Sequence, residues 1–199
     1  MAEDLAEFLE ETFTSLQGQK TSDQELRIYA VVDASRDPMM IPPTISALSN
    51  NYSCLYKGQA LVEFGDDTAW VVEIRADEDV LDWLAEEGFG KRWVIFALSP
   101  LELNGFVRHL RKFTLIEDEG GSEHFFRFYD PQTIRQYLPV FTSEQLTVFF
   151  KGIDTLVLEN TLNSEELCVF QAEDGKLLRN TIALPAFTKD ASSPAQEAS

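Results

Sequence analysis

Apolar residues near the start of the chain recur at helical spacing. Between residues 3 and 17 they stand three or four positions apart, with glutamates between them. The pattern predicts an amphipathic helix with an acidic outer face, whose inner face holds Leu5, Phe8, Leu9, Thr12, Phe13 and Leu16. A polar run follows and leads into LRIYAVVDA, a β-branched, mostly apolar segment typical of a buried strand.

Strand and helix patterns alternate over the next 80 or so residues. AWVVEIRA and GKRWVIFALS predict strands, while DEDVLDWLAEEGF and SPLELNGFVRHLRKF predict helices. The second of these helices carries a capping-box pattern from Ser99 to Glu102, with Pro100 at its first position. A helix is also predicted to begin at Asp37-Pro38, although Pro42 and Pro43 weaken that prediction before Thr44.

The second half of the sequence changes pattern. TLIEDEGGSEHFFRFYD predicts a β-hairpin over a Gly-Gly turn, and PQTIRQYL and TSEQLTVFF predict helices, the latter opened by Thr142 or Ser143. IDTLVLEN and ELCVFQAEDGKLLRNTIAL predict strands, with a hairpin across Asp174-Gly175. The tail FTKDASSPAQEAS is small and polar, which predicts disorder.

This order of elements predicts an α/β, or mixed α+β, fold. We expect a mixed, partly parallel sheet with flanking helices, a β-hairpin in the second half and a small C-terminal β extension. The predicted organisation is an N-terminal helix and linker (1–22), a main domain (23–153), the β extension (154–186) and a disordered tail (187–199).

The segment FFRFYDP, residues 125–131, combines three phenylalanines and a tyrosine with one arginine. In a strand both of its faces would be aromatic, which favours a central strand covered on both sides. Arg127 does not fit a purely apolar core, because a buried guanidinium needs an acidic partner. Asp33 and Asp37, at the end of the first strand, are the natural candidates. An Arg127 that faces a partner protein is the alternative.

The chain has 34 acidic and 16 basic residues, a net charge of −18. Nucleic acids and anionic membranes are bound through basic surfaces, so neither is an expected partner. The charge suits either attraction to a basic partner or simple solubility. No signal peptide and no apolar run of roughly 18 residues is found, which predicts a cytoplasmic protein without membrane insertion.

Sequence signatures of catalysis are weak. No nucleophile-elbow, phosphate-loop, dinucleotide-binding or zinc-protease pattern is present, and neither His109 nor His124 adjoins a nucleophile. We expect surface or helix-terminal positions for both. Cys54 and Cys168 have no metal-ligand spacing and are expected to be buried thiols. No catalytic residue, metal or cofactor is predicted; the best enzyme hypothesis uses the strand-end acids Asp33, Asp37 and Asp130.

Several segments together resemble the adaptor-chaperone family of type VI secretion, whose domain was long labelled as of unknown function. They are YAVVDASRDP, CLYKG, WLAEEGFGKRWVIF, HLRKFTLIEDEGGSEHFFRFYDPQTIRQYLP and SEQLTVFFKGID. The resemblance runs from about residue 28 to about residue 153. Family-motif positions matched here, with a structural or partner-binding role, are Asp33, Arg36, Asp37, Pro38, Trp93, Arg127, Tyr129, Asp130 and Pro131. Phe89 replaces the family's usual Trp, and many relatives carry a longer helical second lobe.

The resemblance implies a non-enzymatic role. Such adaptors bind a cognate effector in the cytoplasm, often through its N-terminal region, and promote its loading onto the spike protein. Exposed aromatic area rimmed by charge would suit a client surface. The candidate contacts are Phe8, Phe13, Val148, Phe149 and Phe150. An acidic immunity protein that inhibits a toxin is the alternative, and a hydrolase using strand-end carboxylates is a further one.

Overall fold

The computed structural model describes residues 2–19, 25–58, 61–62, 65, 68–117 and 120–186. Its helices are α1 (Ala2–Gly18), α2 (Ile41–Leu48), α3 (Val80–Trp83), α4 (Leu103–Leu110), α5 (Pro131–Tyr137) and α6 (Ser143–Phe150). Its strands are β1 (Arg27–Asp33), β2 (Tyr52–Cys54), β3 (Ala69–Glu73), β4 (Val94–Ser99), β5 (Leu115–Glu117), β6 (Glu123–Phe125), β7 (Thr155–Glu159), β8 (Glu166–Glu173) and β9 (Lys176–Ala183). A π-helical turn, Leu84–Gly88, extends α3, and 3-10 turns follow β1, α4 and α5.

Seven strands form one sheet in the order β2-β3-β1-β4-β7-β8-β9, while β5 and β6 form a separate hairpin. Every neighbouring pair is antiparallel, so the prediction of a partly parallel sheet is wrong. Two helix-containing connections do join strands of like direction, β1 to β2 and β3 to β4. A third strand lies between the members of each pair, β3 in the first and β1 in the second. The alternation of strands and helices in the sequence therefore indicated which strands run in the same direction, but not which strands are neighbours in the sheet.

Helices cover both faces of the sheet. Alternate residues of β1 serve the two cores: Tyr29 and Val31 face one, Ala30 and Val32 the other. The first core is rich in phenylalanine and is closed by α4, α5 and α6. The second is closed by α1, α2 and α3. The predicted amphipathic N-terminal helix is confirmed, because its apolar side is buried in the second core.

The predicted C-terminal extension continues the main sheet. β7 pairs with β4, and its Leu156, Val157 and Leu158 are buried. β8 and β9 form the predicted hairpin, in which Asp174 and Gly175 both have positive φ, at 49° and 71°. Such a two-residue turn matches the twist of the strands it joins. The predicted disordered tail lies outside the described residues.

Three local predictions need correction. FFRFYDP is not a central strand: β6 ends at Phe125, and residues 126–130 form a turn that enters α5. Ser99 does not cap α4, because its hydroxyl donates to the Gly152 carbonyl and accepts from the Leu101 amide, and the helix begins at Leu103. Asp37 accepts a hydrogen bond from the Met40 amide, but α2 begins only at Ile41.

Candidate functional site

Asp33 ends β1, an interior strand of the sheet, and is completely buried. Its Oδ1 accepts hydrogen bonds from the amide and hydroxyl of Ser35, at 3.2 and 2.9 Å, which holds the 3-10 turn after the strand. Its Oδ2 lies 2.5 Å from Arg127 Nη2 and 3.3 Å from Arg36 Nε. Two guanidinium groups therefore neutralise one buried carboxylate. The predicted Arg127 ion pair is confirmed, with Asp33 as the acid.

Asp130 occupies the N-cap position of α5, 94 positions along the chain from Arg36. Its Oδ1 accepts from the Thr133 amide at 2.9 Å, and Pro131 fills the first helical position. Its Oδ2 pairs with Arg36 Nη2, and with Arg92 Nη2 at 2.6 Å. This carboxylate is thus also buried between two guanidinium groups.

Arg36 joins the two halves into one charged network. Its Nε faces Asp33 and its Nη2 faces Asp130, so one side chain connects the end of β1 with the start of α5. We call the five residues Asp33, Arg36, Arg92, Arg127 and Asp130 the motif network. It contains three positive and two negative charges. Its arginine side chains are 29–44% exposed, whereas its two carboxylates are nearly inaccessible to solvent.

Arg92 enters the network from the loop before β4. Its backbone has φ 63°, in the left-handed region that a non-glycine residue seldom adopts. This conformation accompanies a side chain that reaches both oxygens of Asp130, at 2.8 and 2.6 Å. The sequence GFGKRW contained this residue, but sequence reasoning singled out only the adjacent Trp93. A positive φ at an arginine leaves no signal in the sequence.

The electrostatics favour the ionised forms of Asp130 and Arg127. Burial alone would raise the pKa of Asp130, but hydrogen bonds from Arg92 and Thr133 and the charges of Arg92 and Arg36 leave it below its usual range. Burial lowers the pKa of Arg127, yet the hydrogen bond and charge of Asp33 outweigh it and the net pKa is raised. The guanidinium of Arg127 lies 5.8 Å from the Tyr129 ring, and burial raises the pKa of that phenol to about 12.

Glu159, at the end of β7, was missed by sequence reasoning. Burial raises the pKa of its carboxyl to about 7, despite hydrogen bonds from the Arg92 and Gly90 amides and the charge of Arg92. Its Oε1 is buried without a hydrogen-bond partner. It lies at the C-terminal end of a buried strand, as Asp33 does, but nothing in the sequence distinguishes it from a surface glutamate.

The network suits a structural role better than proton transfer or nucleophilic attack. A catalytic carboxylate needs a pKa near the working pH or free access to substrate. Asp33 and Asp130 are 0% and 4% exposed, and each accepts hydrogen bonds from a backbone amide as well as from arginine. Within the described ranges, no three His, Cys, Asp or Glu residues are grouped so that they could hold a metal ion.

The remaining predicted motif positions lie around the network rather than in it. The Trp93 carbonyl accepts from the Asp33 amide at 2.8 Å, and its ring packs 6.1 Å from Trp83 beneath Lys91. Asp37 caps its own turn, next to a half-buried Pro38. Pro131 starts α5. Of the three acids of the enzyme hypothesis, Asp33 and Asp130 are joined through Arg36. Asp37 forms no ion pair with another described residue.

The five predicted client contacts differ in how far their side chains are exposed to solvent. Phe13 and Phe149 are 0% and 1% exposed and belong to the two cores, and Phe150 is 9% exposed. Phe8 is half-buried against the second core. Val148 is 53% exposed on the outer side of α6. Only Val148 offers a client substantial area in this fold. Whether a client contacts any of the five stays a prediction.

The histidines and cysteines do not form a site. His109 is buried rather than at the surface, at the last turn of α4, with Nε2 2.7 Å from the Phe149 carbonyl oxygen. Burial lowers the pKa of His109, more than that hydrogen bond raises it. His124 is exposed on β6, as predicted. Cys54 and Cys168 are both buried thiols, which confirms that prediction.

Comparison with protein families matches residues 28–148 to the family described as domain of unknown function DUF4123. This chain belongs to that family, which is associated with type VI secretion effectors. The match includes all five residues of the motif network. No curated protein and no solved structure matches the chain. Among the described residues, no helix has the length and apolar character needed to cross a membrane.

Proposed function

We propose that this protein is a cytoplasmic adaptor of type VI secretion, which binds a cognate effector and promotes its loading onto the spike protein. Membership in the DUF4123 family over residues 28–148 carries the proposal, because that family is associated with type VI secretion effectors. The effector's N-terminal region is the proposed contact.

The geometry of the motif network supports a role without catalysis. Its carboxylates are saturated with hydrogen bonds, and its three arginines hold four segments together: the end of β1, the turn after it, the loop before β4 and the start of α5. Such a network fixes loop positions at one end of the sheet. In this proposal the family motif is scaffolding, and another surface of the protein grips the client.

Co-production with candidate effector and spike proteins from the same genome tests the proposal. The tagged full-length chain should co-purify with the effector, and the spike protein should join only when effector and adaptor are both present. Retention of effector by the spike protein without the adaptor, or no complex between adaptor and effector, would contradict the proposal.

A division of the effector separates the adaptor from an immunity protein. An adaptor should bind the effector's N-terminal region and leave the toxic activity intact. An immunity protein should bind the toxic domain and abolish its activity. Activity assays of the effector with and without a molar excess of this protein, together with pull-downs of the two effector halves, distinguish these outcomes.

A further inference from the structure

The hairpin formed by β5 and β6 stands apart from both cores. All of its residues whose side chains the structure describes are exposed. It forms no sheet with the seven main strands and pairs only within itself, through Leu115–Phe125, Ile116–His124 and Glu117–Glu123. An isolated two-stranded hairpin is marginally stable in water, because neither face excludes solvent. Burial against the rest of this chain therefore contributes little to the stability of the hairpin.

The exposed hairpin is also apolar near its base. Phe125 is 72% exposed, and the directly opposite Leu115 is 44% exposed. Residues opposite each other in an antiparallel pair share a face, so these two side chains form one apolar surface. Ile116, on the other face, is 41% exposed. Exposed apolar surface of this kind, on an element without support from a core, marks an interaction site.

Charge identifies the kind of partner. Glu117 lies on the same face as Leu115, and the sequence EDEGGSE from residue 117 to residue 123 has four acidic residues and no basic one. A second copy of this chain would bring two such acidic turns together, in a protein of net charge −18. A segment with apolar side chains flanked by lysine or arginine complements both features.

We propose that the β5–β6 hairpin is the client-binding element, and that it receives an amphipathic, basic segment of the effector against Leu115, Phe125 and Glu117. The inference deepens the proposed adaptor function and depends on it. The motif network supports the same assignment, since Arg127 and Asp130 anchor the turn that immediately follows β6.

Matched single substitutions test the hairpin. Phe125→Ser removes a side chain that is 72% exposed, while Leu162→Ser removes one that is 75% exposed in the connection between β7 and β8. Both variants should fold, because neither side chain belongs to a core. With the same candidate effector as the probe, Phe125→Ser and Glu117→Lys should each weaken binding by about tenfold or more, and Leu162→Ser should not.

Hydrogen exchange on the full-length wild-type chain gives a second readout that needs no variant. Amides of residues 115–117 and 123–125 should exchange fast in the free protein and become protected in the complex. Unchanged exchange and unchanged affinity of Phe125→Ser, in a complex that still forms, would overturn the hairpin assignment and leave the adaptor function standing. No complex with the wild-type chain would overturn both. A dimer of this chain that Phe125→Ser dissociates would overturn the assignment to a client.

Discussion

Arg127 donates a 2.5 Å hydrogen bond to Asp33 across 94 positions of sequence, and the carboxylate that it neutralises is completely buried. Asp33 lies at the end of the interior strand β1, and Arg127 lies in the turn after the exposed hairpin. Removal of the arginine leaves a buried charge with only part of its compensation.

Arg127→Met should therefore lower the free energy of unfolding. Breaking a fully buried pair costs about 3–5 kcal/mol; because Arg127 is partly exposed and Asp33 keeps Arg36 and Ser35, we expect about 2 kcal/mol. Arg75→Met is the matched control, since Arg75 is similarly exposed and Glu73 keeps Arg27 as a partner. That variant should lose less than about 1 kcal/mol. Urea unfolding of the three proteins measures both values, and equal losses would contradict the structural role of Arg127.

The left-handed backbone at Arg92 predicts that glycine is more stabilising than alanine at this position, the reverse of the usual order. Arg92→Gly and Arg92→Ala both lose the ion pair with Asp130, but only alanine retains the strain of φ 63°. The glycine variant should be the more stable by about 1 kcal/mol. At Lys91, which has no positive φ, alanine should instead match or exceed glycine in stability. Thermal unfolding of the four variants checks the order, and alanine above glycine at position 92 would contradict the left-handed conformation.

Replacement of Glu159 by glutamine is predicted to stabilise the protein by an amount that depends on pH. Its folded-state pKa is about 7, whereas an unfolded glutamate titrates near its ordinary value. Between these values the folded protein holds a proton that the unfolded chain lacks, so this residue's contribution falls as pH rises through that range. Glu159→Gln should be more stable than the wild type at pH 8, by up to about 3 kcal/mol, and the gain should disappear below about pH 5.

Unfolding curves of both proteins at each pH measure this gain. The difference between them is the informative quantity, because His109, whose pKa is lowered, destabilises the fold as pH falls through part of the same range. A constant difference from pH 5 to pH 8 would contradict the assignment to Glu159.

Substitution of Gly152 is predicted to disturb the packing of its neighbours. A Cβ at this position would lie 2.8 Å from His109 and from Leu101, where the glycine fits between the α4 region and the end of α6. Gly152→Ala should lower the free energy of unfolding by about 1–3 kcal/mol, because the buried neighbours must shift. Gly18→Ala meets no atom within 4 Å and should be neutral within about 1 kcal/mol. Calorimetry of both variants tests the contrast.

Much of the fold was predictable because periodicity and capping act locally. The apolar stripe of α1 predicted its buried face, and the segment PQTIRQYL predicted α5. The cap of α6 was expected at Thr142 or Ser143; it is Thr142, which forms a capping box with Gln145. The Asp174-Gly175 turn was equally local. Each of these features depends on side chains within a few positions of the backbone that they stabilise.

Strand adjacency was not predictable in the same way. The insertion of β1 between β3 and β4 depends on pairing over long sequence separations, which alternation of strands and helices does not encode. The prediction of a central strand over FFRFYDP was wrong for a related reason. Its buried side chains, Phe126, Phe128 and Tyr129, pack from a turn beneath the sheet, and burial alone does not distinguish a turn from a strand.

Only some residues of the candidate site could be predicted from the sequence. Asp33 and Arg127 could be paired from charge and expected burial, because an arginine within an aromatic run needs an acid. Arg36 and Asp130 were identified as motif positions, but their contact joins distant segments. Arg92 and Glu159 gave no signal, since the first depends on an unusual backbone conformation and the second on how the loop before β4 covers the end of β7.

The place of β7 in the sheet shows that the segment matched to the family does not contain the whole fold. Residues 28–148 end before β7, yet β7 supplies the neighbour of β4 and buries side chains in both cores. A fragment cut to those limits would turn β4, an interior strand, into an open edge. It would also lose α1, one of the three helices that close the second core. The segment that identifies the family is therefore shorter than the segment that forms the complete sheet. Failure of such a fragment to bind an effector would say nothing about binding by the full-length protein.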